Sequence, residues 1–133
     1  MRTIHWVCAG FIALIAVILM AFQASTTAQK KISYDELAKL LQHPQSVLFI
    51  DVREPNEIAV TGTLKGALTI PLGQLESRLK EVPKDKPIAP FCKAGGRAAH
   101  AAAILSQHGY RTVGVFGLDE YHEKVKDYIV YPK

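Results

Sequence analysis

The stretch Phe91-Cys92-Lys93-Ala94-Gly95-Gly96-Arg97 constrains this chain more than any other. It joins a short apolar segment, Ile88 to Phe91, to an alanine-rich run, Arg97 to Gln107. In that run Ala98, Ala101, Ala102, Ile104 and Leu105 recur at the spacing of one helical face. A strand, a glycine-rich hairpin and a helix in direct succession put the loop at a strand's carboxyl end and a helix's amino end. Gly95 and Gly96 can take backbone angles closed to other residues, so that amide N–H groups turn inward. The helix N-terminus adds partial positive charge to that of Lys93 and Arg97 around the Cys92 sulfur. These conditions favour the thiolate, the nucleophilic form of cysteine. The expectation is a reactive cysteine in an anion cradle. The plainer alternative is a thiol packed as a small hydrophobe at a strand end.

The chain around this loop alternates between two periodicities. Ser33-Tyr34-Asp35-Glu36 has the form of a capping box, and Leu37, Leu40 and Leu41 continue at helical spacing until His43-Pro44. Val47 to Ile50 is a continuous β-prone run, as expected of a strand covered on both faces. It ends in Asp51-Val52-Arg53-Glu54-Pro55, where Pro55 can open a short helix. Turns at Thr61-Gly62 and Lys65-Gly66 lead to a strand from Ala67 to Ile70, and Leu72, Leu75 and Leu79 again repeat at helical spacing. Gly109 stops the loop helix, Thr112 to Phe116 reads as a further strand, and part of the tail after Leu118 reads as a closing helix. Strands alternating with helices predict an α/β fold, a small parallel sheet flanked by helices. Open α/β sheets place their sites at the carboxyl ends of strands, which makes Asp51 and Arg53 candidates for shaping the site. A structural ion pair is the competing assignment for those two.

The chain has 133 residues and a formal net charge of +4. The basic excess is spread along the chain with no long basic run, which argues against nucleic-acid binding and supports attraction of small anions. Cys8 and Cys92 are the two cysteines and have no metal-ligand spacing; the five histidines form no i, i+4 pair, so no metal or other cofactor is expected. Trp6 to Phe22 is apolar, and small polar residues follow up to Ala28. This order is that of a secretory signal over residues 1–28, cleaved after Ala28, leaving one domain over residues 29–133. An uncleaved anchor is the alternative, because the apolar run approaches the length of a membrane-spanning helix. Either reading places the domain outside the cytoplasm, and only the second gives it a membrane. With Cys8 removed, Cys92 would be a solitary thiol in an oxidising compartment.

Four ordered motifs carry a resemblance. They are Asp51-Val52-Arg53-Glu54-Pro55-Asn56-Glu57, the segment Gly62 to Pro71, Pro83 to Ile88, and Cys92 to Arg97. Together they resemble a rhodanese domain over nearly all of the chain after the leader. With the leader included, the chain is similar to single-domain periplasmic thiosulfate sulfurtransferases. The resemblance implies that Cys92 takes a sulfane sulfur from thiosulfate or a similar donor, holds it as a persulfide, and passes it to a thiophilic acceptor. It implies further that Lys93, Ala94, Gly95, Gly96 and Arg97 line the donor site, with Asp51 and Arg53 in support. Related phosphatases and arsenate reductases need a loop one residue longer, with arginine where this chain has Ala98.

Three features depart from the family pattern. Gly62-Thr63-Leu64-Lys65-Gly66-Ala67 replaces the usual turn, Pro90 interrupts the strand before Cys92, and the terminal signature survives only as Gly117-Leu118 and Tyr121. Pro90 cannot donate a ladder hydrogen bond, so a weakened strand pairing is expected there. Two further function classes compete with the enzyme. One is a sulfur-carrier or protein-docking module with little turnover of its own; the other is a thiol redox protein, which the missing second cysteine of a Cys-x-x-Cys pair disfavours. The expected partners are a small anionic sulfur donor and a thiophilic acceptor, with no nucleic acid, and the chain is expected to be a monomer.

Overall fold

Leu48–Asp51 is strand β1, and its four residues are almost wholly enclosed, as the unbroken apolar run predicts. The computed structural model describes residues 29–133; the expected leader lies outside the described residues. Helix α1 (Tyr34–Gln42) precedes β1 and begins on the capping box, with Ser33 as N-cap. After β1 come α2 (Pro55–Thr61), the short strands β2 (Thr63–Leu64) and β3 (Leu68–Thr69), and α3 (Leu72–Leu75), which tightens into a 3₁₀ turn over Glu76–Glu81. Strand β4 (Ile88–Cys92) feeds α4 (Gly96–Gln107), followed by β5 (Phe116–Gly117), α5 (Leu118–Tyr121), two 3₁₀ turns and β6 (Ile129–Val130).

Four strands form a parallel sheet in the order β3-β1-β4-β5, as the alternation of strand and helix predicts. Side chains of successive strand residues point to opposite faces, and the core divides accordingly. Ile50, Ile88 and Cys92 pack with Leu75, Ala98, Ala101, Ala102 and Leu105 on one face. Phe49, Ala89 and Phe91 pack with Leu37, Leu41, Phe116 and Tyr121 on the other. Ala98, Ala101 and Ala102, three of the five alanines of α4, are fully buried, and side chains that small let the helix lie close on β4.

The structure corrects several expectations. The strand expected over Thr112 to Phe116 is reduced to Phe116–Gly117, with one isolated bridge from Thr112 to Ile88. The reason lies across the ladder, at Pro90. Ile88 donates its N–H to Arg111 and accepts from Val113, so alternation turns the nitrogen of Pro90 towards the same side. Ile88 pairs with Thr112 but Phe91 with Phe116, so the β5 side carries one residue more than β4 between the two pairings. That extra residue bulges the chain opposite the proline, and Val115 instead exchanges hydrogen bonds with Lys30 and Ile32. The closing helix expected in part of the tail is the short α5, continued by the two 3₁₀ turns. The end of the tail forms β6, which pairs antiparallel with β2, an element the sequence reading did not include. No helix among the described residues is long and apolar enough to cross a membrane.

Candidate active site

Cys92 is the last residue of β4, paired with Gly117 of β5, and is 1% exposed. Behind it, Phe91 stacks on Phe116 at 5.1 Å between ring centroids, which fixes the strand end that presents the sulfur. After Cys92 the backbone makes a left-handed turn at Gly95 (φ 100°) and enters α4 at Gly96, one residue earlier than expected. The link is therefore a tight strand-to-helix turn, and the expected hairpin does not form. A side chain at Gly95 would be strained, which is the physical demand behind that glycine. The turn aims the Gly95 N–H at the sulfur, and it donates to Cys92 Sγ at 3.0 Å. The first amides of a twelve-residue helix have no partner within the helix, and its positive end lies at the same place.

Arg97 lies in the first turn of α4. Its Nη1 and Nη2 donate to Glu57 Oε2 and Oε1 at 2.6 and 2.7 Å. Hydrogen bonds to Glu57, and to a smaller extent the Cys92 sulfur, raise the Arg97 pKa above its ordinary range. Glu57 responds in the opposite sense. The guanidinium, helped by the backbone N–H of Glu54, holds its carboxyl down at about 2. Lys93 and Ala94 are exposed on the rim, and Lys93 Nζ lies 4.0 Å from an Asp119 carboxylate oxygen.

Asp51 and Arg53 form a separate buried unit. Arg53 Nε donates to both Asp51 oxygens at 2.9 and 3.2 Å, and the two side chains are 0% and 2% exposed. The remaining donors of Arg53 reach Thr61 Oγ1 at 2.8 Å and the Gly62 carbonyl at 2.7 Å, while Thr63 Oγ1 donates to Asp51 at 2.7 Å. The guanidinium also lies 6.0 Å from the ring centre of Phe91, the residue before the thiol. A cleft of about 450 Å³ opens beside this unit, between Arg53, Pro71, Gln74, Arg78 and the tail residues Tyr131 and Pro132. No residue from Cys92 to Arg97 lines it.

Thus the structure gathers Cys92, Gly95 and Arg97 about the sulfur, puts Lys93 and Ala94 on the rim, and sets Asp51 and Arg53 into the scaffold beneath. Two contributors escaped sequence reasoning. Glu57 lies within the Asp51-to-Glu57 motif, which assigns it no role; its contact with Arg97 spans 40 positions, beyond any local spacing rule. Gly117 packs directly under the loop: a Cβ there would lie 2.7 to 2.8 Å from backbone atoms of Lys93 and Ala94. Its place in the loosely kept Gly117-Leu118 signature, directly after an apolar strand, is the available signal.

Residues 33–124 match the family model described as Rhodanese-like domain. The chain is 36% identical over 83 residues to a sulfurtransferase of Allochromatium vinosum, covering 62% of this chain and 77% of that protein. It is 37% identical over 93 residues to thiosulfate:glutathione sulfurtransferase of Homo sapiens, covering 59% of this chain and 79% of that protein. Among solved structures, reduced Bacillus anthracis CoADR-RHD superposes with a TM-score of 0.68 at 36% identity, over 77% of this chain but 18% of that one.

Proposed function

The chain belongs to the rhodanese-like domain family, and on that premise we propose that it is a sulfurtransferase working through a persulfide on Cys92. The thiolate of Cys92 attacks the outer sulfur of thiosulfate or a similar anionic donor. A sulfur–sulfur bond to Cys92 forms as the donor's own sulfur–sulfur bond breaks, and sulfite leaves with the electron pair. A thiophilic acceptor, such as cyanide, then attacks the terminal sulfur and restores the thiolate. The observation that carries this reading is the Gly95 N–H on Cys92 Sγ at the positive end of α4. Fixed donors of that kind stabilise charge on a sulfur without reorganising. Arg97 and Lys93 supply the positive charge that an anionic donor and departing sulfite require. The loop from Cys92 to Arg97 is one residue shorter than the loop that the related phosphatases and arsenate reductases need, which favours sulfur transfer over phosphate chemistry.

Residues 1–28 are read as an export signal, which places the working domain outside the cytoplasm; fractionation of cells producing the full chain tests this. The chemistry is tested by mixing the purified domain with thiosulfate and reading intact mass. Wild type should gain a single sulfur, and Cys92→Ala should gain none. Loading of the alanine variant would sink the proposal. Repeated turnover with cyanide, as opposed to a single loading, separates an enzyme from a sulfur carrier.

A further inference from the structure

The Glu57–Arg97 pair joins α2 to the active turn and is built for orientation more than for charge. Both terminal nitrogens of the guanidinium are engaged, one to each carboxylate oxygen, a forked geometry that fixes the plane of the group as well as its position. The two side chains are 35% and 29% exposed, so an unclamped Arg97 would be drawn towards water. Glu57 is itself held, because its Oε2 accepts the Glu54 N–H at 3.0 Å in the first turn of a helix that opens on Pro55. A rigid path thus runs from the end of β1 through α2 to Arg97.

We propose that Glu57 is a positioning residue for sulfur transfer: its carboxylate clamps Arg97 so that the guanidinium is presented to the Cys92 sulfur and to the donor anion. The inference rests on the sulfurtransferase reading above. A carboxylate so close to a site for anions otherwise opposes both donor binding and an ionised sulfur. Two effects of removing it therefore have opposite signs. If Glu57 acts only as a negative charge, its loss strengthens the thiolate and the donor site. If it acts as a clamp, its loss weakens both.

The experiment compares wild type with Glu57→Gln and Glu57→Asp. The first readout is the rate of Cys92 alkylation by iodoacetamide across a pH series, which requires no sulfur donor. The second is kcat and KM with thiosulfate and cyanide, and the third is thermal unfolding. A clamp predicts that Glu57→Gln moves the alkylation profile to higher pH and lowers kcat/KM about tenfold or more. Glu57→Asp, which keeps the fork, should recover part of both. A profile that stays put or moves to lower pH in Glu57→Gln would overturn the proposal, as would kinetic losses that merely follow a lowered Tm. Should Glu57→Gln fail to fold, Arg97→Lys decides: it keeps the positive charge but cannot form the fork with Glu57, so a clamp predicts an alkylation profile moved to higher pH and a charge-only role predicts none. Failure of wild type to turn over thiosulfate would strike the sulfurtransferase reading, and the alkylation profile would still decide the clamp.

Discussion

Glu57 owes its depressed pKa of about 2 first to the Arg97 guanidinium and then to the Glu54 N–H. A carboxylate lowered in the folded state stabilises the fold fully above its ordinary value of 4.5 and loses that contribution as pH falls through about 2. In the folded protein Glu57 stays ionised down towards about 2, so transfer activity should titrate with groups other than Glu57, and the pair's contribution to stability is complete from neutral pH down to about 5. Below that pH, the stability difference between wild type and Glu57→Gln should shrink steadily towards pH 2. Urea unfolding at stepped pH measures this; a difference constant down to pH 2 would mean that the pair adds nothing to the fold. At this scale the sequence was informative wherever chemistry is local. Cys92, Gly95 and Arg97 are read from one short string, because a thiol, a left-handed turn and a first-turn cation impose their demands within a few residues. Glu57 could not be read that way, since only the folded chain brings α2 against α4.

Elements were legible in proportion to how strongly their own residues specify them. The capping box at Ser33 gave the start of α1, because the Ser33 N–H and the Glu36 carboxylate satisfy each other without tertiary help. Strand β5 is shorter than its own residues predict because its pairing answers to Pro90 on a neighbouring strand. Strand β6 is not legible in the sequence because two residues against two is a pairing decided by the surrounding fold. The junction of β5 and α5 illustrates an element set by contact. Gly117 lies where a methyl group would meet Ala94 C and Cα at 2.7 and 2.8 Å and Lys93 O at 2.8 Å, all backbone atoms that cannot swing aside. The Asp119 N–H also donates to the Lys93 carbonyl at 3.1 Å, so the turn is pinned from below at two points. Gly117→Ala should therefore cost about 1–3 kcal/mol by overpacking. It should also slow sulfur loading of Cys92 beyond what the lost stability explains, because the displaced backbone carries the Gly95 N–H. Loading rates measured well below the variant's Tm test this, and wild-type loading there would detach Gly117 from the active turn.

Across the whole molecule, the parallel sheet and its two faces follow from the alternation of apolar runs. What ties the layers near the site is polar and buried. Arg53 bridges the end of β1 (Asp51), the end of α2 (Thr61) and the turn into β2 (Gly62), and Thr63 closes the network on Asp51. The sequence put Asp51 and Arg53 beside the site but left open whether they shape it or carry chemistry, because strand-end position alone does not reveal partners. Their hydrogen bonds are spent on one another and on this corner of the fold. Arg53→Met would leave the Asp51 carboxylate buried with the Thr63 hydroxyl and the backbone N–H of residue 53, and would leave the Gly62 carbonyl only the Thr61 hydroxyl at 3.5 Å. Breaking one side of a buried pair costs about 3–5 kcal/mol. A double variant, Asp51→Leu with Arg53→Met, removes the stranded charge and should recover part of that loss. Recovery should be incomplete, because the Thr63 hydroxyl loses its acceptor and the Gly62 carbonyl keeps only the long contact with Thr61. Sulfur loading in the single variant should fall with its unfolded fraction, as for a scaffold held several residues from the thiol. Urea unfolding of the three proteins, with loading rates normalised to folded protein, tests the assignment. A well-folded Arg53→Met that loads sulfur far more slowly than wild type would move Arg53 from the scaffold into the chemistry.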